Sequence, residues 1–466
     1  MRVIWEPISK NEKTPVFPPL WRRRFWVSVI RHVTAWLLMI SACLSCRTLA
    51  LASKELQLYS ASAVLMDGES GRVLYGKDET CPLPNASTTK IMTCILVLEE
   101  CGMDEMVSVS EYAASMPKVK LGMQRGETYC ARDLLYSLML ESHNDSAAAL
   151  AEHVGGKLLT NQTGMSEREG SILAIKAFAA LMNDKARRIG CEDTYFITPN
   201  GLDAEETITQ EDGSTRVLEH HVTAKDLARI LAYCIQSSPK RQEFLEITQK
   251  RSHSFTGNGR SFVLNNHNSF LDMMDGALTG KTGFTGKAGY CYVGALRRDG
   301  KLLIVALLAC GWPNNKGLKW KDARTLMEYG IQNCRRVSLG DPGMALSEEE
   351  IPGITVTGGQ GGHVGERQIV FPVIEGRWQT IEEKAVLLSR DEELTKFMEL
   401  LPRLTAPVAE GQRIGVIKYS VGEEVLWTEN LLSPSEIKRI DLSYCFKQVI
   451  QEYLYIRSMR TWQKKF

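Results

Sequence analysis

The sequence predicts an α+β fold, because strand-like segments stand at both ends of its central part and helical segments fill the middle. Residues 60–79 alternate apolar and polar side chains on either side of Gly68–Gly71, which is typical of a β-hairpin. After Asn265 the strand pattern returns in a second hairpin that turns at Asp299-Gly300. These observations indicate an antiparallel sheet flanked by helices, with a helical subdomain inserted between its strands.

The middle part carries a separate signal for each helix. The runs "ARDLLYSLMLES" and "SAAALAEHV", and the apolar run after Ser87, repeat apolar residues at helical spacing. The long run "SILAIKAFAALMNDKARRIG" ends at Gly190, and glycine is common just after a helix. Thr223 is a suitable N-cap for the helix predicted in "TAKDLARILAYCI". We place this α+β domain at residues 53–345.

The C-terminal part has a different pattern. Short strand-like runs separated by turn residues predict a small all-β domain at 346–433, and 434–466 predicts an amphipathic helix. That helix carries basic residues and lacks about 20 uncharged residues in a row, so it is expected to lie on a membrane surface. A helix packed on the β domain is the alternative. The apolar stripe consists of Leu442, Phe446, Val449, Ile450, Tyr453 and Ile456.

Residues 1–52 have the layout of an export signal. A basic cluster at Arg22–Arg24 precedes an apolar stretch at 33–44, and Ala50-Leu51-Ala52 is a small-x-small cleavage pattern. An uncleaved anchor, a lipoprotein box ending at Cys43 and a twin-arginine signal are the alternatives. All four place the rest of the chain outside the cytoplasm.

Composition excludes several function classes. The 466 residues carry a net charge of +1, which gives no indication of nucleic-acid binding. The Cys residues beyond residue 52 form no Cys-x-x-Cys pair and no Cys/His pair at zinc spacing, so we interpret them as small buried side chains. The His220-His221 pair beside Glu219, and His267, lack a third ligand at metal spacing. We therefore predict neither a metal site nor a cofactor.

Ser-x-x-Lys occurs four times, at Ser87, Ser115, Ser237 and Ser435. At Ser115 and Ser237 a proline lies between serine and lysine and disfavours the helical turn that would align them. Charged neighbours surround Ser435, which is typical of a solvated face. Ser87 alone opens an uninterrupted apolar helix.

The spacing of Ser87 and Lys90 favours nucleophilic catalysis. Residues three apart share a helix face, so the Lys90 amine can reach the Ser87 hydroxyl. Burial and neighbouring cations lower a lysine pKa, and a neutral lysine can accept the serine proton. An N-capping serine followed by a snorkelling lysine is the structural alternative.

Two further motifs occur in suitable context. Ser142-His143-Asn144 lies between two helical runs, and Lys281-Thr282-Gly283 precedes the strand "GYCYVGAL". Ser-x-x-Lys, Ser-x-Asn and Lys-Thr-Gly in this order are the motif set of penicillin-binding proteins and class A β-lactamases. The chain resembles the serine D-alanyl-D-alanine carboxypeptidases, the low-molecular-weight penicillin-binding proteins, over about residues 60–432.

This resemblance implies a β-lactamase/transpeptidase-like fold and an enzyme that removes the terminal D-Ala from peptidoglycan stem pentapeptides. Ser87 would form the acyl-enzyme, Lys90 would act as general base, and Ser142 would relay a proton to the leaving amine with help from Lys281. β-Lactam antibiotics would acylate Ser87. Members of the family commonly end in an amphipathic anchor helix, which implies an exported enzyme on the outer face of the cytoplasmic membrane.

The resemblance also implies the substrate-binding residues. Asn144 would hold a backbone amide of the substrate, while Lys281 and Thr282 would bind its terminal carboxylate. Gly283 permits close approach of the substrate backbone, and the N–H groups of Ser87 and Phe284 would form the oxyanion hole. Two positions depart from the family pattern: His143 replaces the usual Gly and is expected to narrow the site, and Asn200 replaces His or Ser.

Three other functions compete with this interpretation. "GALTGKT" resembles a nucleotide-binding P-loop. A P-loop, however, requires a second glycine five residues before the glycine of Gly-Lys-Thr, and Asp275 occupies that position here. A class A β-lactamase shares the three motifs, but it needs a deacylating glutamate, and no Glu-x-x-Leu-Asn follows Ser-x-Asn. A non-catalytic wall-binding or β-lactam-sensing protein is the third; the presence of every catalytic side chain disfavours it.

Overall fold

The structure, a computed structural model, describes residues 56–160, 164–209, 213–344, 346, 348–361, 368–375 and 384–463. The predicted export signal at 1–52 lies outside the described residues. Residues 58–466 form one compact unit, to which every described helix and strand belongs.

The strands are numbered in chain order. They are β1 (Ser62–Asp67), β2 (Val73–Lys77), β3 (Met106–Ser108), β4 (Thr128–Cys130), β5 (Glu205–Thr209), β6 (Thr215–Glu219), β7 (Ser252–Gly257), β8 (Arg260–Asn265), β9 (Ala277–Thr285), β10 (Gly289–Arg298), β11 (Lys301–Leu308), β12 (Cys334–Ser338), β13 (Ile354–Thr357), β14 (Gln368–Val370), β15 (Val373–Ile374), β16 (Ala385–Ser389), β17 (Leu394–Leu400), β18 (Leu404–Thr405), β19 (Arg413–Val421) and β20 (Glu424–Leu432).

The α-helices alternate with short 3₁₀ and π segments. The α-helices are α1 (Lys90–Glu100), α2 (Glu111–Ala114), α3 (Ala131–Tyr136), α4 (Asn144–Lys157), α5 (Glu167–Ile189), α6 (Ala224–Ala232), α7 (Arg241–Gln249), α8 (Phe270–Met273), α9 (Leu318–Asn333) and α10 (Leu442–Gln463). The 3₁₀ segments are Ala86–Thr89 and Glu348–Glu350, and the π segments are Ser137–Glu141 and Tyr233–Ser237.

The central sheet has five antiparallel strands in the order β2-β1-β11-β10-β9. Both predicted hairpins are present, β1–β2 and β10–β11. Every residue of β1 is buried, so both faces of the sheet must be covered. α9 packs on one face, where Gly330 meets Leu65 and Leu303. α6 packs on the other, together with the helical subdomain. The predicted α+β arrangement is confirmed.

α1 is the centre of the helical subdomain. Its residues from Lys90 to Leu98 are all buried, because the neighbouring helices cover it on every side. α4 and α5 pack closely, since Gly155 has no side chain: a Cβ there would lie 2.0 Å from the carbonyl oxygen of Ala174. The predicted helix ends hold, with Thr223 capping α6 and Gly190 ending α5.

The β-rich region after α9 begins before residue 346, the predicted start of the small β domain. β12 pairs with β16, although residues 334–338 precede the predicted boundary at 345. This region also contacts the β1–β2 hairpin: Arg72 pairs with Glu392 and Glu424, and Asp67 accepts the N–H of Leu387. Strands β12, β17 and β18, the two-stranded sheet β3–β4 and the hairpins β5–β6 and β7–β8 were not predicted.

The C-terminal helix starts at Leu442, later than the predicted residue 434. Ile437 is the reason: it pairs with Val408 and is buried in the β-domain core, which holds the preceding segment against the sheet. The Asp441 carboxylate then accepts the N–H of Tyr444 at 2.7 Å. The stripe residues are exposed, from 43% at Ile450 to 89% at Leu442, so they do not pack on the β domain. Among the described helices, none is long and apolar enough to cross a membrane.

Candidate active site

Ser87 lies on the 3₁₀ turn that leads into α1, and not inside the α-helix itself. The turn is tightly constrained. Ala86 has a positive φ of 49°, and the Asn85 amide donates to the hydroxyls of Thr88 and Thr89 at 3.1 and 2.9 Å. Such backbone strain persists only where neighbouring contacts enforce it. A Cβ on Gly201 would lie 1.9 Å from Ala86 O, so only glycine permits the approach of that loop.

The Lys90 amine has three oxygen neighbours. Its Nζ lies 2.8 Å from Ser87 Oγ, 2.9 Å from Asn144 Oδ1 and 2.8 Å from the carbonyl oxygen of Asn200. The side chain is fully buried. The helical spacing predicted from the sequence therefore does bring Lys90 to Ser87.

Burial, and next to it the positive charge of Lys281, holds the pKa of Lys90 well below its usual value of 10.5, although Asp145 opposes the shift. A neutral amine has two N–H donors and one lone pair. The oxygens of Asn144 and Asn200 can only accept hydrogen bonds, so both N–H donors point to them. The lone pair is then left for the Ser87 hydroxyl, which is the arrangement that a general base requires.

Ser142 and Lys281 form a second contact between motif residues. Ser142 ends the π segment with φ of 66°, a left-handed conformation. Lys281 Nζ donates to Ser142 Oγ at 3.0 Å and to its neighbour Thr282 O at 2.9 Å. Burial lowers the pKa of Lys281 to about 7. This lysine can therefore change its charge near neutral pH.

Asn144 is the first residue of α4 and is buried. Its Oδ1 accepts from Lys90, and its Nδ2 donates to the carbonyl oxygen of Pro117 at 3.2 Å. Both ends of the side-chain amide thus have partners inside the protein. The contact of Asn144 with a substrate amide stays a prediction, whereas its contact with Lys90 is direct.

Strand β9 forms one wall of the site. A Cβ on Gly283 would lie 2.9 Å from both Asn85 O and Ser87 N, so the missing side chain lets β9 run directly beside the nucleophile turn. Thr282 is half-buried in the wall. The Phe284 ring is 42% exposed and packs against Tyr290 with 4.6 Å between ring centroids. Glycine at 283 is therefore required by the protein backbone as well as by the predicted substrate.

A cleft of about 510 Å³ is lined by five of the predicted site residues, Ser87, Ser142, Thr282, Gly283 and Phe284, and by side chains that the sequence motifs missed. Glu141 is the only acid among the described residues of its lining, and it holds His267 at 2.6 Å and the N–H of Asn265 at 2.7 Å. Lys316 and Lys319 give the cleft a positive charge. Residues 316–320 immediately follow a loop and carry two lysines and a tryptophan, but no spacing rule links them to Ser87.

Lys319 is almost fully buried in the far wall of the cleft. Its Nζ donates to Lys316 O at 2.9 Å and lies 4.8 and 4.7 Å from the ring centroids of Tyr290 and Trp320. Burial, followed by the charge of Lys316, lowers the pKa of Lys319 to about 8. The cation is thus held by aromatic faces and a carbonyl, without a carboxylate partner among the described residues, and an anionic ligand would supply one.

The loop at 199–201 is fixed behind Lys90 by groups that the sequence left unassigned. Thr93 Oγ1 donates to Pro199 O at 2.6 Å. The Nδ1 of His220 accepts the N–H of Ile197 at 3.0 Å, so its Nε2 carries the proton and donates to Thr89 Oγ1 at 2.9 Å. Burial lowers the pKa of His220 to about 3, so it stays neutral. Asn200 contributes its backbone carbonyl to Lys90, a role that its residue type does not reveal.

His143 does not narrow the cleft, contrary to the prediction. Its side chain is buried, its Nδ1 lies 2.8 Å from Ser137 Oγ, and that hydroxyl in turn lies 2.7 Å from Ser146 Oγ. It is not among the residues that line the cleft. The contact with Ser137 thus keeps the His143 ring inside the protein.

Two parts of the chain match known protein families. Residues 49–310, more than half of the chain, match the family described as D-alanyl-D-alanine carboxypeptidase. The chain belongs to this family. Residues 386–439 match the C-terminal domain of penicillin-binding protein 5. This protein is accordingly a serine-type hydrolase of the low-molecular-weight penicillin-binding proteins, whose members act on D-Ala-D-Ala peptides of peptidoglycan in the periplasm or cell wall and bind β-lactams.

Individual relatives agree with this assignment. The chain is 30% identical over 278 residues to the D-alanyl-D-alanine carboxypeptidase DacB2 of Mycobacterium tuberculosis, covering 59% of this chain and 84% of the relative. It is 23% identical to DacF of Bacillus subtilis over 86% of this chain and 92% of the relative. The solved penicillin-binding protein 5 of Haemophilus influenzae aligns with a TM-score of 0.61 at 22% identity, over 83% of this chain and 100% of that structure, which supports the fold.

Proposed function

We propose that this carboxypeptidase works through an acyl-enzyme on Ser87, with neutral Lys90 as the general base. The observation that carries the proposal is the set of contacts around Lys90 Nζ. Two obligate acceptors use its N–H donors, and the third neighbour is Ser87 Oγ at 2.8 Å. A buried lysine without a carboxylate in contact is poorly suited to a purely structural role, because it loses solvation without gaining an ion pair.

The reaction has two stages, acylation of Ser87 and hydrolysis of the acyl-enzyme, and each involves proton transfer. Lys90 takes the Ser87 proton while Oγ attacks the carbonyl carbon of the bond between the two D-Ala residues. The N–H groups of Ser87 and Phe284 stabilise the resulting oxyanion. The intermediate then expels D-Ala, and the proton that Lys90 accepted passes through Ser142 to the leaving amine, assisted by Lys281, so that Lys90 is neutral again. Water next attacks the ester, the shortened peptide leaves, and Ser87 regains its proton.

The positive charge of the cleft suits a substrate that ends in a free carboxylate. We assign the carboxylate to Lys281 and the Thr282 hydroxyl, as a charge-assisted hydrogen bond is stronger than a neutral one. Lys316 and Lys319 add two further lysines to the lining of the cleft. Relatives also include a D-alanyl-D-alanine endopeptidase of Pseudomonas aeruginosa, 29% identical over 51% of this chain and 67% of the relative. Carboxylate recognition is the feature that would favour the carboxypeptidase reaction.

β-Lactams would acylate Ser87, and the resulting acyl-enzyme would be hydrolysed slowly. A class A β-lactamase needs a free carboxylate to activate the deacylating water. Glu141 is the only acid among the described cleft residues, and both of its oxygens already hold hydrogen-bond donors. The β-lactamase alternative is therefore disfavoured.

Peptide mapping after penicillin treatment tests the nucleophile. We expect the adduct within residues 84–93, and no labelling of Ser87→Ala. Ser115, Ser237 and Ser435 serve as internal controls, since each begins a Ser-x-x-Lys sequence without the contacts of Ser87. An adduct on any of them contradicts the assignment.

The substrate assignment has its own test. A pentapeptide ending in D-Ala-D-Ala should lose most of its turnover when its C-terminus is amidated, because the amide lacks the charge that Lys281 and Thr282 would bind. Penicillin acylation of the same preparation shows that the nucleophile is intact. Equal rates on acid and amide would favour an endopeptidase.

We further propose that the enzyme is exported and that α10 holds it on a membrane surface. The exposure of the apolar stripe from Leu442 to Ile456, together with Lys447 and Arg457 on the same helix, supports binding to anionic lipid. Flotation with anionic liposomes should recover the full chain and not a chain truncated after Ser433. Equal behaviour of the two chains contradicts the anchor.

A further inference from the structure

A cluster of metal-ligating side chains lies at the end of α1 that is remote from Ser87. The thiol of Cys101, a carboxylate oxygen of Glu105 and a ring nitrogen of His153 all lie within 4.8 Å of one another. Three different elements supply them. Cys101 caps the C-terminus of α1, Glu105 precedes β3, and His153 lies on α4.

A second thiol faces the same turn. Cys130 Sγ lies 3.2 Å from Met103 O, and Cys101 Sγ lies 3.3 Å from Gly102 O, the adjacent carbonyl. Cys130 is fixed there because it pairs with Met106 at the edge of the β3–β4 hairpin. The thiol of Cys130 therefore lies at the turn at residues 101–105, next to but outside the set of three ligand atoms that lie within 4.8 Å of one another.

This donor set matches the preferences of zinc. Zn²⁺ binds thiolate sulfur, imidazole nitrogen and carboxylate oxygen in tetrahedral sites, in which neighbouring ligand atoms are about 3.3–3.8 Å apart. His153 Nε2 now lies 2.8 Å from Glu105 Oε2, so modest side-chain rotations would produce the required spacing. The N–H of Gly102 donates to Glu105 Oε1 at 2.7 Å and orients the carboxylate from outside the cluster.

We propose that Cys101, Glu105 and His153 bind a zinc ion, with Cys130 as the fourth ligand. Sequence spacing did not reveal this site, because the ligands come from separate elements that only the folded chain brings together. The ion would join the C-terminal end of α1 to α4. These are the two helices whose first residues, Lys90 and Asn144, are in contact in the active site. The site would thus fix the relative position of both helices.

Lys157 gives the proposal a directional test. Its ammonium lies 2.5 Å from Glu105 Oε2, where it neutralises the carboxylate that the metal would use. The side chain is 43% exposed, so the ammonium can return to water when the ion binds. Zinc and Lys157 therefore compete for one carboxylate, and removing the lysine charge should tighten zinc binding.

The experiment is a titration of the reduced full chain with Co²⁺, followed by displacement with Zn²⁺. We expect one tightly bound ion and a thiolate-to-cobalt charge-transfer band that Zn²⁺ abolishes. His153→Gln should weaken binding by more than about 100-fold, Lys157→Gln should tighten it, and Cys81→Ser, which removes an exposed thiol outside the cluster, should leave it unchanged. Penicillin labelling of Ser87 checks that each variant is folded.

Two results would overturn the proposal. One is the absence of a charge-transfer band when cobalt is stoichiometric. The other is equal cobalt affinity in the wild type and the folded His153→Gln chain. If His153→Gln does not fold, the decision passes to Lys157→Gln, whose exposed side chain is tolerant of change. Unchanged or weaker metal binding by that variant contradicts the competition and with it the site.

Discussion

Each end of α1 lies beside a lysine, the fully buried Lys90 at one end and the partly buried Lys185 at the other, and the two have opposite surroundings. At the N-terminal end, Lys90 contacts a hydroxyl and two carbonyl oxygens, and its pKa is lowered. At the C-terminal end, Lys185 contacts the Glu99 carboxylate at 2.6 Å. Although burial alone would lower it, the pKa of Lys185 is raised by hydrogen bonds to Glu99 and Tyr233 and by the charge of Glu99. The difference is the counter-ion.

This difference separates reactivity from stability along one helix. A lysine with a carboxylate partner keeps its proton and contributes an ion pair. A lysine that has only neutral acceptors is easily deprotonated and is available as a base. We therefore expect variants at the Lys90 end to change the rate of acylation, and variants at the Glu99 end to change the free energy of unfolding.

The largest effect is expected at Lys90. Lys90→Arg keeps the charge but cannot lose a proton at ordinary pH, so penicillin acylation should slow by about 10²–10⁴-fold. Lys185→Arg is the matched control, because a guanidinium can still pair with Glu99, and it should acylate at the wild-type rate. Stopped-flow acylation measures both. Substantial acylation by Lys90→Arg would mean that Lys90 acts only through its charge.

Gly283 should give the next largest effect. Gly283→Ala introduces a Cβ 2.9 Å from Ser87 N, which would displace β9 from the nucleophile and misalign the two N–H groups assigned to the oxyanion hole. Removing one such donor typically costs about 10²–10³ in kcat. Gly286→Ala, only three residues on, meets no atom within 4 Å and should be neutral. Equal losses in the two variants would show that close packing at 283 is not the cause.

The sequence predicted those parts of the molecule that depend on local pattern. Hairpins, caps and the helices of the subdomain follow from periodicity and turn residues, so β1–β2, β10–β11 and α6 were expected. The pairing of Ser87 with Lys90 was also predictable, because three residues of helix bring them together. The Lys281 contact with Ser142 followed only from the motif set, since 139 residues separate the two in the chain.

Groups that act through the backbone or across long loops were not predictable. Asn200 serves Lys90 with its carbonyl oxygen, which any residue type could supply. The neutral His220 accepts the N–H of Ile197, 23 residues away, and donates to Thr89, 131 residues away. Its pattern in the sequence is that of a surface histidine. The C-terminal helix was predictable from its periodicity, but the exposure of its apolar stripe was not. Periodicity alone cannot distinguish a packed face from an exposed one.

The pH dependence of kcat/KM sharpens the comparison further. Lys90 must be neutral, so the rate should rise with pH as its lowered pKa is passed. Lys281 must be charged to bind the carboxylate, and its pKa is about 7, so kcat/KM should fall about tenfold per pH unit well above 7. Lys281→Arg should remove the falling limb, because arginine stays charged. A falling limb that persists in this variant would assign it to another group.

The smallest effect on catalysis is expected from Glu99, at the other end of the helix. Its carboxylate accepts from Lys185, Tyr233 and Ser238 at 2.6–2.7 Å. Burial would raise the pKa of Glu99, but the hydrogen bonds from these three groups outweigh burial and lower it. Because the folded-state pKa lies below the unfolded value of 4.5, this stabilisation is present above that value and is lost as the pH falls through the folded pKa.

Glu99→Gln should therefore lower the free energy of unfolding by about 1–3 kcal/mol at neutral pH, as measured by urea denaturation. The difference from the wild type should shrink as the pH falls below 4.5, because the wild-type carboxylate is then protonated too. Penicillin acylation should change by less than about twofold, since Ser87 and Lys90 keep all of their contacts. A loss of acylation comparable to that of Lys90→Arg would show that α1 transmits the state of its distal ion pair to the nucleophile, and the division between its two ends would fail.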